Sequence, residues 1–435
     1  MEGVSAPSSA ETGVLREDVF WTATAPRMPD YPVLRALLRV DVAIVGSGFT
    51  GLACAYYLRR HAPHLRVAVV EAARVGSGAS SRNSGLFGPY YAGWRREMRR
   101  GGSRAELYRG LGERAYARLL AFLNEEDVAC DVLPAKTLLL AADPEAPDLR
   151  SQGEAWSALG LSVAWFDRAG LAQMIGTTFY AGACGLGNRW RLHPAKLVAG
   201  LAAAAARAGA VIFEGSPVLA VDTATPARLR TPAGVLVADR VVLATNGYTP
   251  RLGFAAEAIV PVHHAVLVTR PLAPSEATVG GLAEWPARLE VAARTHTMRL
   301  TADGRVTMRE TLGYAANSST VWPDLEAAYA RAREAYITRY PWVRAIAIEG
   351  RWHCLTAHTE NGHVIFGPIA GSHIFASAGY NGSGVVAGHY HGYLLARHLA
   401  GETPDDYRLL CDLEPPAAIR GEARRRHYVD HGVGV

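Results

Sequence analysis

The residues of this chain best suited to chemistry are three glycines and an acid. The glycines lie in Asp41-Val-Ala-Ile-Val-Gly46-Ser-Gly48-Phe49-Thr50-Gly51, and the acid is Glu71. An apolar run, Val42 to Val45, breaks into Gly-x-Gly-x-x-Gly, and a small, apolar segment from Leu52 to Leu58 follows with helical character. In a strand, tight turn and helix, the first glycine permits the turn. The second lets the backbone approach a pyrophosphate, and the third lets helix and strand pack closely. The free N–H groups and dipole of the helix start then hold negative charge. A second apolar run, Val67 to Val70, ends in Glu71, 25 positions past Gly46. An acid there accepts hydrogen bonds from a ribose. These residues predict an adenine dinucleotide site. A second glycine-rich turn, Gly379-Tyr380-Asn381-Gly382-Ser383-Gly384, opens another helix at Val385. A helix start there stabilises the negative charge that a flavin gains at its N1/C2 carbonyl edge when it takes a hydride. A nicotinamide would gain nothing from it, so the pair of turns favours FAD over NAD.

The elements needed to position these residues recur along the chain. Apolar strands are predicted at Leu138–Ala142, Val211–Phe213, Val241–Thr245, Ala265–Val268, Arg305–Met308 and Ile374–Ser377. Helices are predicted at Ala105–Leu123, Ser151–Leu159, Pro194–Ala210 and Pro323–Tyr340, and from the second glycine turn to Ala400. Thr231-Pro-Ala-Gly234 reads as a hairpin turn. Nucleotide-type elements at the start, middle and end imply an α/β protein. Its Rossmann-like FAD-binding domain is discontinuous, and a second, mixed and mostly antiparallel β-sheet forms a substrate domain. The expected divisions are an N-terminal arm at 1–37, an FAD-binding domain at 38–98, 188–255 and 352–403, a substrate domain at 99–187 and 256–351, and a tail at 404–435.

At 435 residues, 49% hydrophobic and 20% charged, the chain can build two substantial cores. No apolar run approaches the roughly 18 residues of a membrane span. Met1 to Asp18 lacks the layout of a signal peptide, so a cytoplasmic enzyme without membrane contact is expected. The net charge is +5, and only Lys136 and Lys196 are lysines. Arg95, Arg96, Arg99, Arg100 and Arg104 cluster at spacings that put several on one side of a predicted helix, as a patch for an anionic substrate or nucleic acid would or as a solvated face would. The absence of interleaved aromatics favours the solvated face, and no nucleic-acid partner is expected. The five cysteines are scattered, with no CxxC pair and no metal-ligand spacing.

With these residues in hand, the chain resembles the FAD-dependent D-amino-acid-oxidase-like family from about Val19 to Gly401, and within it the gamma-glutamylputrescine-oxidase-like branch. The lead-in Phe20-Trp21 through Pro26, Pro29 and Pro32 is similar to the arm of that branch. Glu71-Ala72-Ala-Arg74-Val-Gly-Ser-Gly78-Ala79-Ser80-Ser-Arg82-Asn83-Ser84-Gly85 resembles its flavin loop. Val218 sits where members contact the adenine, Ala244-Thr245-Asn246 matches the segment near the AMP moiety, and Gly379–Gly384 matches the turn at the flavin pyrimidine edge. The resemblance implies FAD, oxidation of a carbon–nitrogen bond of a small-molecule amine to an imine, and reoxidation by O2 with release of hydrogen peroxide. Alternatives are a flavin dehydrogenase of a specialised biosynthetic pathway with another acceptor, and a flavoenzyme acting on modified RNA. The resemblance does not indicate an oligomeric state.

The chain also departs from family patterns. Glycine and D-amino-acid oxidases carry a carboxylate-clamping arginine where this chain has Thr356. A hydroxyl cannot form the bidentate charged pair, so simple α-amino acids are expected to be poor substrates. Sarcosine oxidases place an oxygen-activating lysine on the strand read here as Gly304–Met308, yet no lysine follows Lys196. They also attach FAD through a cysteine, and Cys354…Thr359…His363-Val364-Ile365 has similar spacing. Cys354 is read either as that covalent anchor or as a small buried residue. Candidate pocket residues are Tyr90, Tyr91, Trp94, Tyr248, His263, His264, His353 and Tyr380. His353, Tyr248 and Tyr380 are the catalytic candidates.

Overall fold

The computed structural model describes residues 19–91, 97, 102–142, 147–158, 162–291, 294–371 and 373–432. Trp94, Arg95, Arg96, Arg99 and Arg100 lie outside the described residues. The run that precedes the first glycine turn forms strand Leu37–Val45, buried on both faces at its C-terminal end. Side chains alternate across a strand. Val42 and Ile44 therefore enter one core, and Ala43 and Val45 another. This strand runs parallel between Val67–Val70 and Val235–Leu243. Val211–Phe213 extends the sheet parallel to Val67–Val70, and Ile374–Ala378 extends it on the other side. Helices Phe49–His61, Pro194–Arg207 and Gly384–Leu399 cover one face, and Gly102–Glu125 packs against the last of these. Their apolar sides bring Leu52, Leu197, Leu201 and Leu395 into the core of Val42 and Ile44. Beyond Val235–Leu243 the sheet continues into the antiparallel strand Ala227–Arg230, the turn between them held by the Thr231 N–H to the Gly234 carbonyl at 2.9 Å, and Ala227, Leu229, Leu236 and Ala238 join the core of Ala43 and Val45.

The second sheet has the order Ile348–His358, Val260–Thr269, Val306–Tyr314, His296–Leu300, Ala287–Glu290, Thr137–Ala141, Gly182–Leu186 and Val163–Asp167. Only the junction between Ala287–Glu290 and Thr137–Ala141 is parallel. Helices Leu325–Arg339 and Arg168–Ile175 pack on its outer core of Leu138, Leu140, Leu267 and Met308.

Two expected divisions differ from the chain path. Strand Ile348–His358 crosses the 351/352 boundary and pairs along its length with Val260–Thr269, from Ile348 opposite Thr269 to His358 opposite Val260. Trp352 to His358 therefore sit in the second sheet, and the chain rejoins the nucleotide sheet at Ile365–Ala370. Residues after 404 form helices Asp405–Cys411 and Glu422–His431. Asp406 accepts hydrogen bonds from Arg114 at 2.7 Å and Tyr390 at 2.5 Å, and Ile419 and Val429 are buried against Val260 and Val262. Among the described residues, no helix is long and apolar enough to cross a membrane.

Candidate active site

The first glycine turn opens on a cavity of about 320 Å³ that runs across the carboxyl ends of the parallel strands. Gly46 sits at φ +101°, where a side chain is strained, and a Cβ there would lie 2.8 Å from the Ala244 carbonyl oxygen. The cavity is walled in turn by Gly46 to Thr50, Glu71 and Ala72, Val218, and Ala244 to Tyr248. Beyond these come Gly78 to Ser80, Asn83 and Ser84, and finally Thr356, Gly382, Gly384 and Val385. The Glu71 carboxylate accepts the Ser47 N–H at 3.0 Å and Oγ–H at 2.6 Å, and the Ala73 N–H at 3.1 Å, which pins the turn to the second strand. Phe49, first in its helix, donates its N–H to Ser80 Oγ at 3.0 Å. The flavin loop is closed by Asn83, which accepts the Gly85 N–H at 2.7 Å and donates to the Ala79 and Ser80 carbonyls. Arg82, buried, donates to the Ser77 and His353 carbonyls and so ties the loop to the second sheet. The second glycine turn is tied to the mid-chain segment by the Gly379 N–H donating to Asn246 Oδ1 at 3.1 Å.

A second cavity of about 270 Å³ adjoins the first. The two share Ala79, Asn83, Ser84, Leu86, Thr356, Gly382 and Val385 as a common wall. Its far side is the second sheet, where Arg309 donates to His264 Nδ1 at 2.8 Å and to the Thr295 and Thr297 hydroxyls at 2.9 Å. An arginine can only donate, so His264 carries its proton on Nε2 and donates to Thr356 Oγ1 at 2.8 Å. Thr356 then donates to His358 Nε2 at 3.2 Å. Burial, then the positive Arg309 beside it, pushes His264 well below the ordinary histidine range. The same two causes lower His358 to about 3. Both rings are neutral at pH 7, and Arg309 is the charge in this hydrogen-bonded row.

The shape of the cavity, the cradle of glycines and the buried Tyr248 hydroxyl, which has no hydrogen-bond partner among the described residues, fit an extended dinucleotide with a polar ring system at one end. Residues 41–398 match the DAO family of FAD dependent oxidoreductases. The chain belongs to this family. It is 28% identical over 405 residues to the probable oxidoreductase OrdL of Rhizobium meliloti, covering 92% of this chain and 91% of that protein. It is 26% identical over 397 residues to gamma-glutamylputrescine oxidoreductase of Escherichia coli, covering 88% and 89%. The solved glycine oxidase of Geobacillus kaustophilus shares the fold, with a TM-score of 0.70 at 22% identity over 84% of this chain and 96% of that one. FAD is therefore the cofactor of this DAO-family oxidoreductase.

The DAO-family site collects most, not all, of the residues expected from sequence. Gly51, Gly85 and Gly379 shape the turns without lining either cavity, and Arg82 acts from behind the loop. Arg74 is on the surface, bridged to Asp30 at 2.6 Å and Glu214 at 3.5 Å, because its position in the loop points outward. Asn381 and Ser383 line the second cavity rather than the first. Cys354 also lines the second cavity.

Of the catalytic candidates, only Tyr248 offers its hydroxyl to the site. His353 and His263 alternate away from the cavity wall and donate Nε2–H to the Thr320 and Ser319 carbonyls at 3.1 and 2.7 Å. The Tyr380 ring borders the FAD cavity, but its hydroxyl is engaged by Thr50 at 2.6 Å and Ser377 at 2.7 Å. Tyr91 is hydrogen-bonded to His391 in the core. Tyr90 and His264 do line the second cavity. Arg309, His358 and Arg189 were missed. The alternation Arg309-x-Thr311 facing Thr295-x-Thr297 was the available signal for a polar inner face. Arg104, of the basic cluster, is held by the buried Glu97 at 2.9 Å.

Removing the Glu71 carboxylate leaves the Ser47 amide and hydroxyl without their acceptor at the turn. Glu71→Ala is expected to raise the FAD dissociation constant about 10- to 100-fold, the cost of about 1–3 kcal/mol for an unmet buried donor. Titration of the apoprotein with FAD, followed by quenching of flavin fluorescence, measures it. An unchanged constant would deny Glu71 that role.

Proposed function

We propose that this flavoenzyme oxidises the carbon–nitrogen bond of a small-molecule amine to an imine, with the substrate in the second cavity and O2 as the final electron acceptor. The shared wall between the two cavities carries this reading, because it sets a substrate against one end of the dinucleotide site. Gamma-glutamylputrescine oxidoreductase and glycine oxidase, similar over most of this chain, are named for compounds that bear amino groups. FAD would be held by Gly46 to Thr50, Glu71 and Ala72, Gly78 to Ser80, Asn83 and Ser84, Val218, Ala244 to Asn246, and Gly382, Gly384 and Val385. When bound, FAD supplies the acceptor for a hydride from the carbon that carries the amine.

The residues of the chain then have modest tasks. The amine reacts as the neutral base, and the neutral His264 and His358 add no competing positive charge beside it. Thr356, fixed between them, aligns the cavity wall, and the buried Tyr248 hydroxyl is free to donate to a polar group brought into the site. Enclosure by the second sheet excludes water from the reacting carbon.

The test is to mix the FAD-loaded protein anaerobically with a panel of amines. At least one amine is expected to bleach the flavin, and admission of air is expected to return colour with one peroxide per flavin reduced. A panel in which hydroxy acids bleach the flavin and no amine does would overturn the reading. Recolouring by a quinone but not by air would replace O2 with another acceptor. Because Cys354 faces the second cavity, acid precipitation of the holoenzyme is expected to leave the yellow colour in the supernatant. Colour retained in the pellet would make Cys354 a covalent anchor.

A further inference from the structure

We propose that the substrate of the second cavity is an amine bearing two acidic groups, one paired with Arg309 and the other with Arg189. This rests on the amine-oxidation reading above and names its substrate class. Both arginines line the same cavity of about 270 Å³. Arg309 spends its hydrogen bonds on neutral partners alone: His264, Thr295 and Thr297. Arg189 is buried to 9% exposure, lies over the Tyr90 ring with 5.3 Å between the guanidinium carbon and the centroid, and has a buried Nε that meets no hydrogen-bond partner among the described residues. Among the described residues no carboxylate is bonded to either guanidinium.

The acids that border the cavity do not fill this gap. Glu290 is taken by Arg339, at 2.7 and 3.2 Å, and by His296 at 3.0 Å. Glu360 is exposed. Tyr428 and Tyr90 are neutral at physiological pH, as are His264 and His358. An arginine keeps its proton, so burial without a counter-charge is costly, and an anion that enters the cavity relieves that cost. One acidic group would relieve one of the two. A ligand with an acidic group at each end relieves both. Aminodicarboxylic acids, and amino acids whose nitrogen carries an acidic substituent, have this chemistry. The absence of an arginine at Thr356 thus does not leave the site without an anion anchor, and the expectation that amino acids are poor substrates extends only to those with a single acidic group.

The experiment titrates the FAD-loaded protein with unreactive probes, succinate, glutarate and adipate against pentanoate, and reads the perturbation of the flavin absorbance band. The best dicarboxylate is expected to bind at least tenfold tighter than pentanoate. Arg189→Met and Arg309→Met, each checked for unchanged flavin content, are each expected to abolish that preference, while Arg189→Lys and Arg309→Lys retain part of it. Equal affinities for pentanoate and every dicarboxylate would overturn the proposal, as would a preference that survives both methionine variants. The amine reading fails separately: a dicarboxylate preference in a protein whose flavin no amine bleaches would sink that reading alone. Bleaching by uncharged amines without any dicarboxylate preference would sink only this one.

Discussion

Gly51→Ala is expected to yield protein that purifies without FAD and unfolds well below the parent temperature. A Cβ at position 51 would lie 1.9 Å from the Gly46 carbonyl oxygen and 3.2 Å from Ile44 Cγ2, where real Cβ contacts stay beyond 3.0 Å. The clash is with backbone, so no side-chain rotation relieves it. The helix Phe49–His61 must move off the strand Leu37–Val45, and both elements are buried: Ala43, Ile44, Leu52 and Ala53 are each fully enclosed. Overpacking of a well-filled core costs about 1–3 kcal/mol, and a backbone clash at this distance belongs at or above the top of that range. The same shift drags the helix start away from the cavity that Gly48, Phe49 and Thr50 line. Thermal unfolding and the ratio of flavin to protein absorbance read the two effects. Gly187→Ala is the control, since a Cβ there meets nothing within 4 Å, and it should behave like the parent. A Gly51→Ala protein that stays yellow and equally stable would show that the close approach of helix and strand does not govern the site.

Glu290→Gln is expected to lower stability by about 3–5 kcal/mol at neutral pH, the cost of breaking one partner out of a buried ion pair. Glu290 is 7% exposed. It accepts from Arg339 Nε at 2.7 Å and stands 3.0 Å from His296 Nδ1. His296 in turn lies 3.6 Å from Glu310. Glutamine keeps the shape but leaves Arg339 and His296 facing a neutral group. Burial pushes the Glu290 carboxyl up, but His296 and Arg339 outweigh it and hold the group at about 2. A carboxyl whose folded value lies below its unfolded value stabilises the fold above the unfolded value, near 4.3, and loses that contribution as pH falls through about 2. His296 has the opposite sign. Burial lowers it, yet Glu290 and Glu310 raise it overall, so its contribution is present below about 6.5 and fades as pH rises through its raised value. Melting temperatures of parent and variant should therefore be far apart at pH 6–7 and converge between about pH 4 and 2. A gap of the same size across that window would contradict the assignment of the effect to this carboxylate.

The residues that sequence alone located share one property: their role follows from their neighbours in the chain. Gly46, Gly48 and Gly51 work within one turn, and Gly382 to Val385 within another. Asn83 closes its loop on residues two to four positions away. The substrate side is different in kind. Arg309, His264, Thr356 and His358 form one hydrogen-bonded row drawn from three strands, Val306–Tyr314, Val260–Thr269 and Ile348–His358. Strand alternation puts His353 and Cys354 on opposite faces but does not say which face meets the cavity; Cys354 lines it and His353 does not.

What the sequence by itself determined was the dinucleotide turn, the second glycine turn opposite it, the acid at Glu71 and hence an α/β flavoprotein, because local spacing dictates strand, turn and helix before any distant contact forms. Which histidines and arginines line the second cavity was decided only by tertiary structure. Strand parity fixes the two faces of Ile348–His358, but only the pairing of His264 opposite Cys354, and the register shift between His263 and His264 against Val306–Tyr314, aims His264 at Arg309 rather than away from it. The charge of the site follows from the same packing, since burial without a carboxylate is a property of the folded surroundings of Arg309 and Arg189 and has no counterpart in their neighbours along the chain.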